Sequence, residues 1–144
     1  MAVEIRAAGD GDRHDIEALL SAAGLPLDGL DAAMDAALVA RDGERPIGCA
    51  AVEIYGTAGL LRSVCVAPDL RGTGLGGQLV ERAEMEARRR GVAEMFLLTE
   101  TAIDWFPRFG YLPDSRAAAP AAIQASAEFT GACPDNARLL RKKL

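Results

Sequence analysis

The 144-residue sequence holds one histidine and three cysteines. One histidine excludes a multi-histidine metal centre and works against a Ser-His-Asp arrangement. Cys49, Cys65 and Cys133 are odd in number and widely spaced, with no C-x-x-C, so neither a disulfide framework nor a zinc site is expected. Long apolar runs are also missing: Ala36–Ala40 is about five residues, whereas a membrane span needs roughly 20. Met1-Ala2-Val3-Glu4 lacks the basic and then apolar order of a secretory leader. The formal net charge is −5, with no long basic stretch. Arg88-Arg89-Arg90 falls at the negative end of a predicted helix, where cations complement the dipole. Nucleic-acid, membrane and metal partners are therefore not expected, the expected setting is cytoplasmic, and a homodimer stays open.

Half of the residues are apolar and 26 % are charged, enough for one folded domain over residues 1–144. Val3–Ala8 alternates like a half-buried strand, and Ile16, Leu19 and Leu20 predict a helix over 12–23. A short helical piece over Leu30–Met34 precedes a predicted hairpin of Ala37–Arg41 and Pro46–Tyr55. Leu60–Val66 is dense in apolar and β-branched residues and predicts a strand. Leu75, Leu79, Ala83 and Ala87 form one stripe of a helix over 74–90, with Glu84–Arg88 and Glu86–Arg90 as expected i,i+4 pairs. Met95–Thr99 predicts a strand, Ala102–Phe109 a short helix, Tyr111-Leu112 the start of a strand, Pro120–Phe129 a helix, and Ala137–Arg141 a last strand.

Between strand Leu60–Val66 and the long helix lies Ala67-Pro68-Asp69-Leu70-Arg71-Gly72-Thr73-Gly74-Leu75-Gly76-Gly77. Small residues let a ligand approach the backbone, a helix N-terminus presents unpaired N–H groups, and Arg71 adds a cation. That combination suits a diphosphate. A P-loop would need Lys-Ser/Thr after the last glycine, but Gln78-Leu79 follows. Gly72-x-Gly74-x-x-Gly77 matches the dinucleotide fingerprint, yet the glycines do not come directly off the strand and too little chain remains for a larger βαβ domain.

Val64-Cys65-Val66-Ala67-Pro68-x-x-Arg71-Gly72-x-Gly74-x-Gly76 resembles motif A of the GNAT acetyltransferases, and Leu97-Leu98-Thr99 through Trp105-Phe106 and Gly110-Tyr111 resembles their second half. The resemblance implies an α+β fold: a mixed, mostly antiparallel sheet splayed between strands 4 and 5 and flanked by helices. It also implies acetyl-CoA as co-substrate and transfer of the acetyl group to an amine. On the same ground Val64, Cys65 and Val66 would run beside pantetheine, the Val66 N–H would polarise the thioester carbonyl, and Arg71, Gly72, Thr73, Gly74, Leu75, Gly76 and Gly77 would hold the pyrophosphate. A tyrosine that commonly protonates the leaving thiol in this family is replaced by Phe106, which cannot donate and is expected to touch the cofactor only.

Glu53, alternating with Val52 and Ile54, is the leading candidate for general base, against a merely exposed strand carboxylate. Arg62, taken to share a face with Val64 and Val66, is a candidate for binding an acceptor carboxylate or arsinate, with an ion pair to Glu53 as the alternative. Thr99 and Tyr55 are the other expected acceptor contacts. Met95–Thr99 through Tyr111 is similar to the acetyltransferase domain of N-acetylglutamate synthases, which implies glutamate. Glu53-Ile54-Tyr55-Gly56, Leu60-Leu61-Arg62-Ser63 and Glu128-Phe129…Cys133-Pro134 are similar to the arsenic-resistance N-acetyltransferases, which implies an amino-acid-like acceptor such as arsinothricin. A non-catalytic acetyl-CoA-binding or sensing module is the competing class.

Overall fold

A computed structural model describes residues 2–144. Strands β1 (Val3–Ala7), β2 (Ala37–Asp42), β3 (Arg45–Tyr55) and β4 (Ala58–Val66) form an antiparallel meander, with helices α1 (Arg13–Ala22) and α2 (Leu30–Ala33) inserted after β1. Helix α3 (Leu75–Arg89) leads to β5 (Glu94–Thr99), and the chain continues through β6 (Leu112–Asp114), α4 (Ala121–Gln124) and β7 (Arg138–Lys143). The seven strands lie in the order β1-β2-β3-β4-β5-β7-β6. Among the described residues only β4 and β5 are parallel, and they pair at Ala58, Gly59 and Leu60 alone. Beyond Leu60 the two strands diverge, and this splay opens the middle of the sheet. This mixed, mostly antiparallel, splayed sheet is the expected architecture.

Both faces are covered. On one, Leu79, Val80, Ala83 and Ala87 of α3 join Ala50, Val52, Leu61, Leu97 and Leu140 in the largest core cluster. On the other, Ile16, Leu20, Leu30 and Ala33 pack on Val39, Cys49, Ala51 and Cys65. Beside them Ala119 and Ile123 cover Leu60, Phe96 and Leu139. A sheet covered on both faces leaves no wet side, so a charged side chain within it must find partners.

Two predicted helices differ. The piece near Ala102–Phe109 narrows to a 3-10 turn, Phe106–Phe109, with Pro107 in its first turn and Gly110 at its end. Pro120–Phe129 ends as a helix at Gln124 and resumes as the wide turn Glu128–Ala132, which Gly131 closes at φ +142°. The pairing on α3 also differs. Glu86 does meet Arg90, but Glu84 is drawn inward to Lys142 Nζ at 2.9 Å and the Tyr111 hydroxyl at 2.8 Å, rather than to Arg88.

Candidate functional site

The loop from β4 to α3 forms one wall of a cleft of about 770 Å³. Gly72 and Gly74 adopt φ of +80° and +88°, a left-handed backbone that only glycine takes without strain. These reversals turn the chain into α3, whose first turn, Leu75-Gly76-Gly77, precedes the first intrahelical donor, Gln78 N–H to Gly74 O. Gly76 and Gly77 are glycine for a different reason. A Cβ on Gly76 would stand 3.0 Å from the Trp105 ring, and one on Gly77 would stand 3.0 Å from the Phe109 ring. Trp105 and Phe109 pack edge to face with ring centroids 4.7 Å apart. With Arg108 they line the cleft together with Arg71, Gly72, Gly74, Gly76, Gly77, Val64 and Val66.

Not every loop position faces this cleft. Leu75 turns into the core, and the Thr73 hydroxyl donates to Leu70 O at 2.6 Å. Cys65 points to the other face, where its thiol lies 3.5 Å from Leu19 O and burial raises its pKa. Phe106 is placed on a second cleft instead. Sequence reasoning missed Trp105, Arg108 and Phe109 as cleft residues. The signal was the glycine pair at 76 and 77, which shows that something bulky lies close to the helix start.

The second cleft, about 570 Å³, lies where β4 and β5 splay. Its walls include Pro26, Asp28, Arg62, Ser63, Val64, Leu97, Thr99, Ala102, Phe106, Glu128 and Cys133. Val64 and Ala102 line both clefts, so the two volumes meet there. Thr99 is a wall residue whose Oγ1 accepts the Ala102 N–H at 2.9 Å, fixing the turn between the two clefts.

The β4 edge that borders the splay is unpaired beyond Leu60. N–H groups alternate in direction along a strand. Ala67 N–H donates to Ile47 O of β3 at 2.8 Å, so the Val66 N–H points the opposite way, into the opening.

Arg62 does not share a face with Val64 and Val66. The β3–β4 register slips by one residue between Cys49–Cys65 and Ala51–Arg62, and Ser63 sits in the bulge at φ +59°. A one-residue bulge exchanges the faces. Leu61, Val64 and Val66 therefore point to α3, and Arg62 joins Cys65 on the other side. There its side chain is 0 % exposed. Nη1 donates to Glu53 Oε2 at 2.9 Å and Asp28 O at 2.7 Å, and Nη2 donates to Pro26 O at 3.2 Å. Nε donates to Ser63 Oγ at 3.1 Å and stands 3.2 Å from Glu128 Oε2. The ion-pair alternative is the geometry found, and Arg62 is not free to bind an acceptor carboxylate.

Glu53 is likewise corrected. It is 2 % exposed and outside both clefts, because α2 and the 115–133 segment cover the face it points to. Its partners are Arg62 and the Tyr55 hydroxyl. A carboxylate held by a guanidinium away from the cleft is not placed to take a proton from an acceptor. Tyr55 is also outside both clefts; burial, and then its hydrogen bond to Glu53, push its hydroxyl up to about 12. Among the described residues no group of three or more His, Cys, Asp and Glu side chains is placed to hold a metal, and no helix is long and apolar enough to cross a membrane.

Comparison with known proteins places this geometry in a family. The amino-acid acetyltransferase of Aeromonas salmonicida is 36 % identical over 78 residues, covering 53 % of this chain and 17 % of that protein. The amino-acid acetyltransferase of Azotobacter vinelandii is 39 % identical over 87 residues, covering 59 % of this chain and 20 % of that protein. The matched stretch is thus a fifth or less of these relatives. N-acetylglutamate synthase from Neisseria gonorrhoeae, solved with coenzyme A and N-acetyl-glutamate, superposes with a TM-score of 0.85 at 24 % identity, over 100 % of this chain and 35 % of that one. Rv2747 from Mycobacterium tuberculosis, solved with CoA, gives 0.81 at 21 % identity over 98 % and 99 % of the two chains. The acetyltransferase (GNAT) domain model matches residues 34–113, more than half of the sequence and all of the glycine loop, and the chain belongs to that family.

Proposed function

We propose that this chain transfers an acetyl group from acetyl-CoA to the primary amine of a small amino-acid-like acceptor, by direct attack in a ternary complex. The observation that carries the reading is the meeting of two clefts at Val64 and Ala102. One has the chemistry of a diphosphate site, and the other is large enough for an amino acid.

The residues present fit the co-substrate. Gly72, Gly74 and the first-turn N–H groups of α3 would hold the pyrophosphate, with Arg71 and Arg108 at the mouth. The free edge of β4, Val64 to Val66, would pair with the pantetheine amides as an added strand. The Val66 N–H would then polarise the thioester carbonyl. Acetyl-CoA, when bound, supplies an activated acyl group and a good leaving thiol. A thiol pKa of about 8.5 lets the thiolate leave without a dedicated acid. Phe106 cannot donate a proton, and the Tyr111 hydroxyl is buried against Glu84.

The names of the relatives and the N-acetyl-glutamate bound to the Neisseria protein support an amino-acid acceptor. Glutamate is one candidate. Arsinothricin is the other, through the resemblance of residues 53–56, 60–63 and 128–134 to arsenic-resistance acetyltransferases. The test is CoA release from acetyl-CoA by the purified chain with arsinothricin, phosphinothricin, glutamate and other amino acids. Turnover with one or more amines is expected. Tight CoA binding without release on any amine would replace the enzyme with a binding or sensing module.

A further inference from the structure

Glu128 lies in the stretch Glu128-Phe129…Cys133-Pro134, where nothing in the sequence gives it a role, and it lines the acceptor cleft while only 4 % exposed. It stands on the turn Glu128–Ala132, far along the chain from the strands it contacts. Its Oε2 is 3.2 Å from Arg62 Nε, and its Oε1 accepts the Cys133 thiol at 3.4 Å. The same guanidinium holds Glu53 at 2.9 Å. Two carboxylates thus share one cation in a site from which water is largely excluded.

One positive charge balances one of them. Glu53 is the better satisfied, with a short charge-assisted bond from Nη1 and the Tyr55 hydroxyl. Glu128 keeps a weak thiol donor and an Nε that is shared with Ser63 Oγ. A buried carboxylate so placed needs a further cation or a proton. The cleft offers neither from the protein. Its remaining charged lining residues, Asp28 and Glu100, are acidic, and Arg62, its one cationic lining residue, is fully covered.

We propose that Glu128 receives the ammonium group of the acceptor and takes the proton that must leave before the amine can attack. The proposal rests on the acetyl-transfer reading above. The N–H bond breaks with its electron pair left on nitrogen, and the proton moves to the Glu128 carboxylate. That pair forms the C–N bond to the acetyl carbon while the C–S bond breaks with its electrons on sulfur. The second amine proton goes to the departing thiolate, and Glu128 returns its own to solvent through the cleft. The ammonium also supplies the positive charge that the cluster of Arg62, Glu53 and Glu128 lacks. Burial raises the Glu128 carboxyl above the ordinary carboxylate range; Arg62 and the Cys133 thiol oppose this, and Glu53 adds to it. A carboxylate shifted in that direction is a better proton acceptor near neutral pH.

The test compares the wild-type chain with E128Q and E128D, using the amine that the wild type acetylates fastest. Readouts are kcat against pH, KM for the amine and calorimetric affinity for CoA. E128Q is expected to bind CoA as the wild type does, to lose about 100-fold or more in kcat, and to lose the acidic limb of the kcat profile. E128D is expected to keep that limb at a displaced pH. It carries the test if E128Q does not fold. An unchanged kcat and acidic limb in folded E128Q would overturn the proposal. So would an E128D whose profile has no acidic limb, or a loss of CoA affinity equal to the loss of kcat. Wild-type chain that releases no CoA with any amine would remove the acetyl-transfer reading itself, and the role of Glu128 with it.

Discussion

Arg62 Nη1 lies 2.9 Å from Glu53 Oε2 across β3 and β4, and neither side chain reaches solvent. The pair is tied to the loop before α2 through the carbonyls of Pro26 and Asp28, and to the C-terminal turn through Glu128. Arg62 thereby ties the loop at Pro26 and Asp28 and the turn at Glu128 to β4 beside the second cleft. Replacing it with Ala leaves two buried carboxylates without their cation, a loss of about 3–5 kcal/mol. Urea unfolding of R62A should show that loss. Stability within about 1 kcal/mol of wild type would mean that the cluster rearranges at little cost.

The ring contacts of Gly76 and Gly77 give a second expectation. Alanine at either position places a Cβ about 3.0 Å from an aromatic ring that already packs against its neighbour. The ring has to yield by a few tenths of an ångström, and it lines the loop cleft. In G76A and G77A the crowding of the ring is set against the gain of about 1 kcal/mol that alanine brings to a helix, so stability should change little while CoA binds more weakly. Unfolding midpoints and calorimetry measure both. An alanine variant with unchanged CoA affinity would show that Trp105 and Phe109 do not shape the binding site.

The strand Leu60–Val66, the stripe of α3 and the glycine loop were legible because each is a local pattern: apolar density, a four-residue period, small residues before a helix. The face of Arg62 was not. Strict alternation from Val64 gives the wrong side, because Ser63 takes a left-handed backbone in a bulge and nothing in Arg62-Ser63-Val64 signals a non-glycine there. Glu128 was hidden for another reason. Its partners come from β3 and β4, and only the tertiary fold brings them together. In the sequence it opens the stretch Glu128-Phe129…Cys133-Pro134, which carries a resemblance but no sign of a partner on β3 or β4. Glu53 was correctly set opposite Val52, but the helical cover on that face was not foreseen, so its burial was missed.

Asp12 provides a pH-dependent expectation away from the clefts. Its carboxylate accepts from Arg6 at 2.7 Å and 2.9 Å, from Arg41 at 2.8 Å and from the Gly9 N–H at 2.8 Å, joining β1 and β2 to the start of α1. Arg6 first, and then Arg41 and the Gly9 N–H, hold this carboxyl well below its usual range. A depressed value means that the ionised form is favoured in the folded state. Its contribution is full above the unfolded carboxylate pKa of about 3.9 and is lost as pH falls through the folded value. D12N should cost on the order of 1–3 kcal/mol at neutral pH, and its difference from wild type should shrink below about pH 4. A difference that stays constant down to about pH 2 would contradict this assignment.

The left-handed backbone at Gly74 carries the turn into α3. G74V forces a β-branched residue into that conformation at a cost of roughly 1–3 kcal/mol and crowds the cleft. CoA affinity should fall at least about tenfold, the equivalent of 1.4 kcal/mol. Calorimetry that gives wild-type affinity for a folded G74V would show that the diphosphate binds elsewhere.

The most direct measurement is an amide NMR titration of the isotope-labelled chain with CoA. Val66, Gly72, Gly74, Gly76 and Gly77 should show the largest shifts, saturating together, with the free edge of β4 moving along with the start of α3. Saturable CoA binding that leaves these amides in place, or no binding at all, would contradict the account.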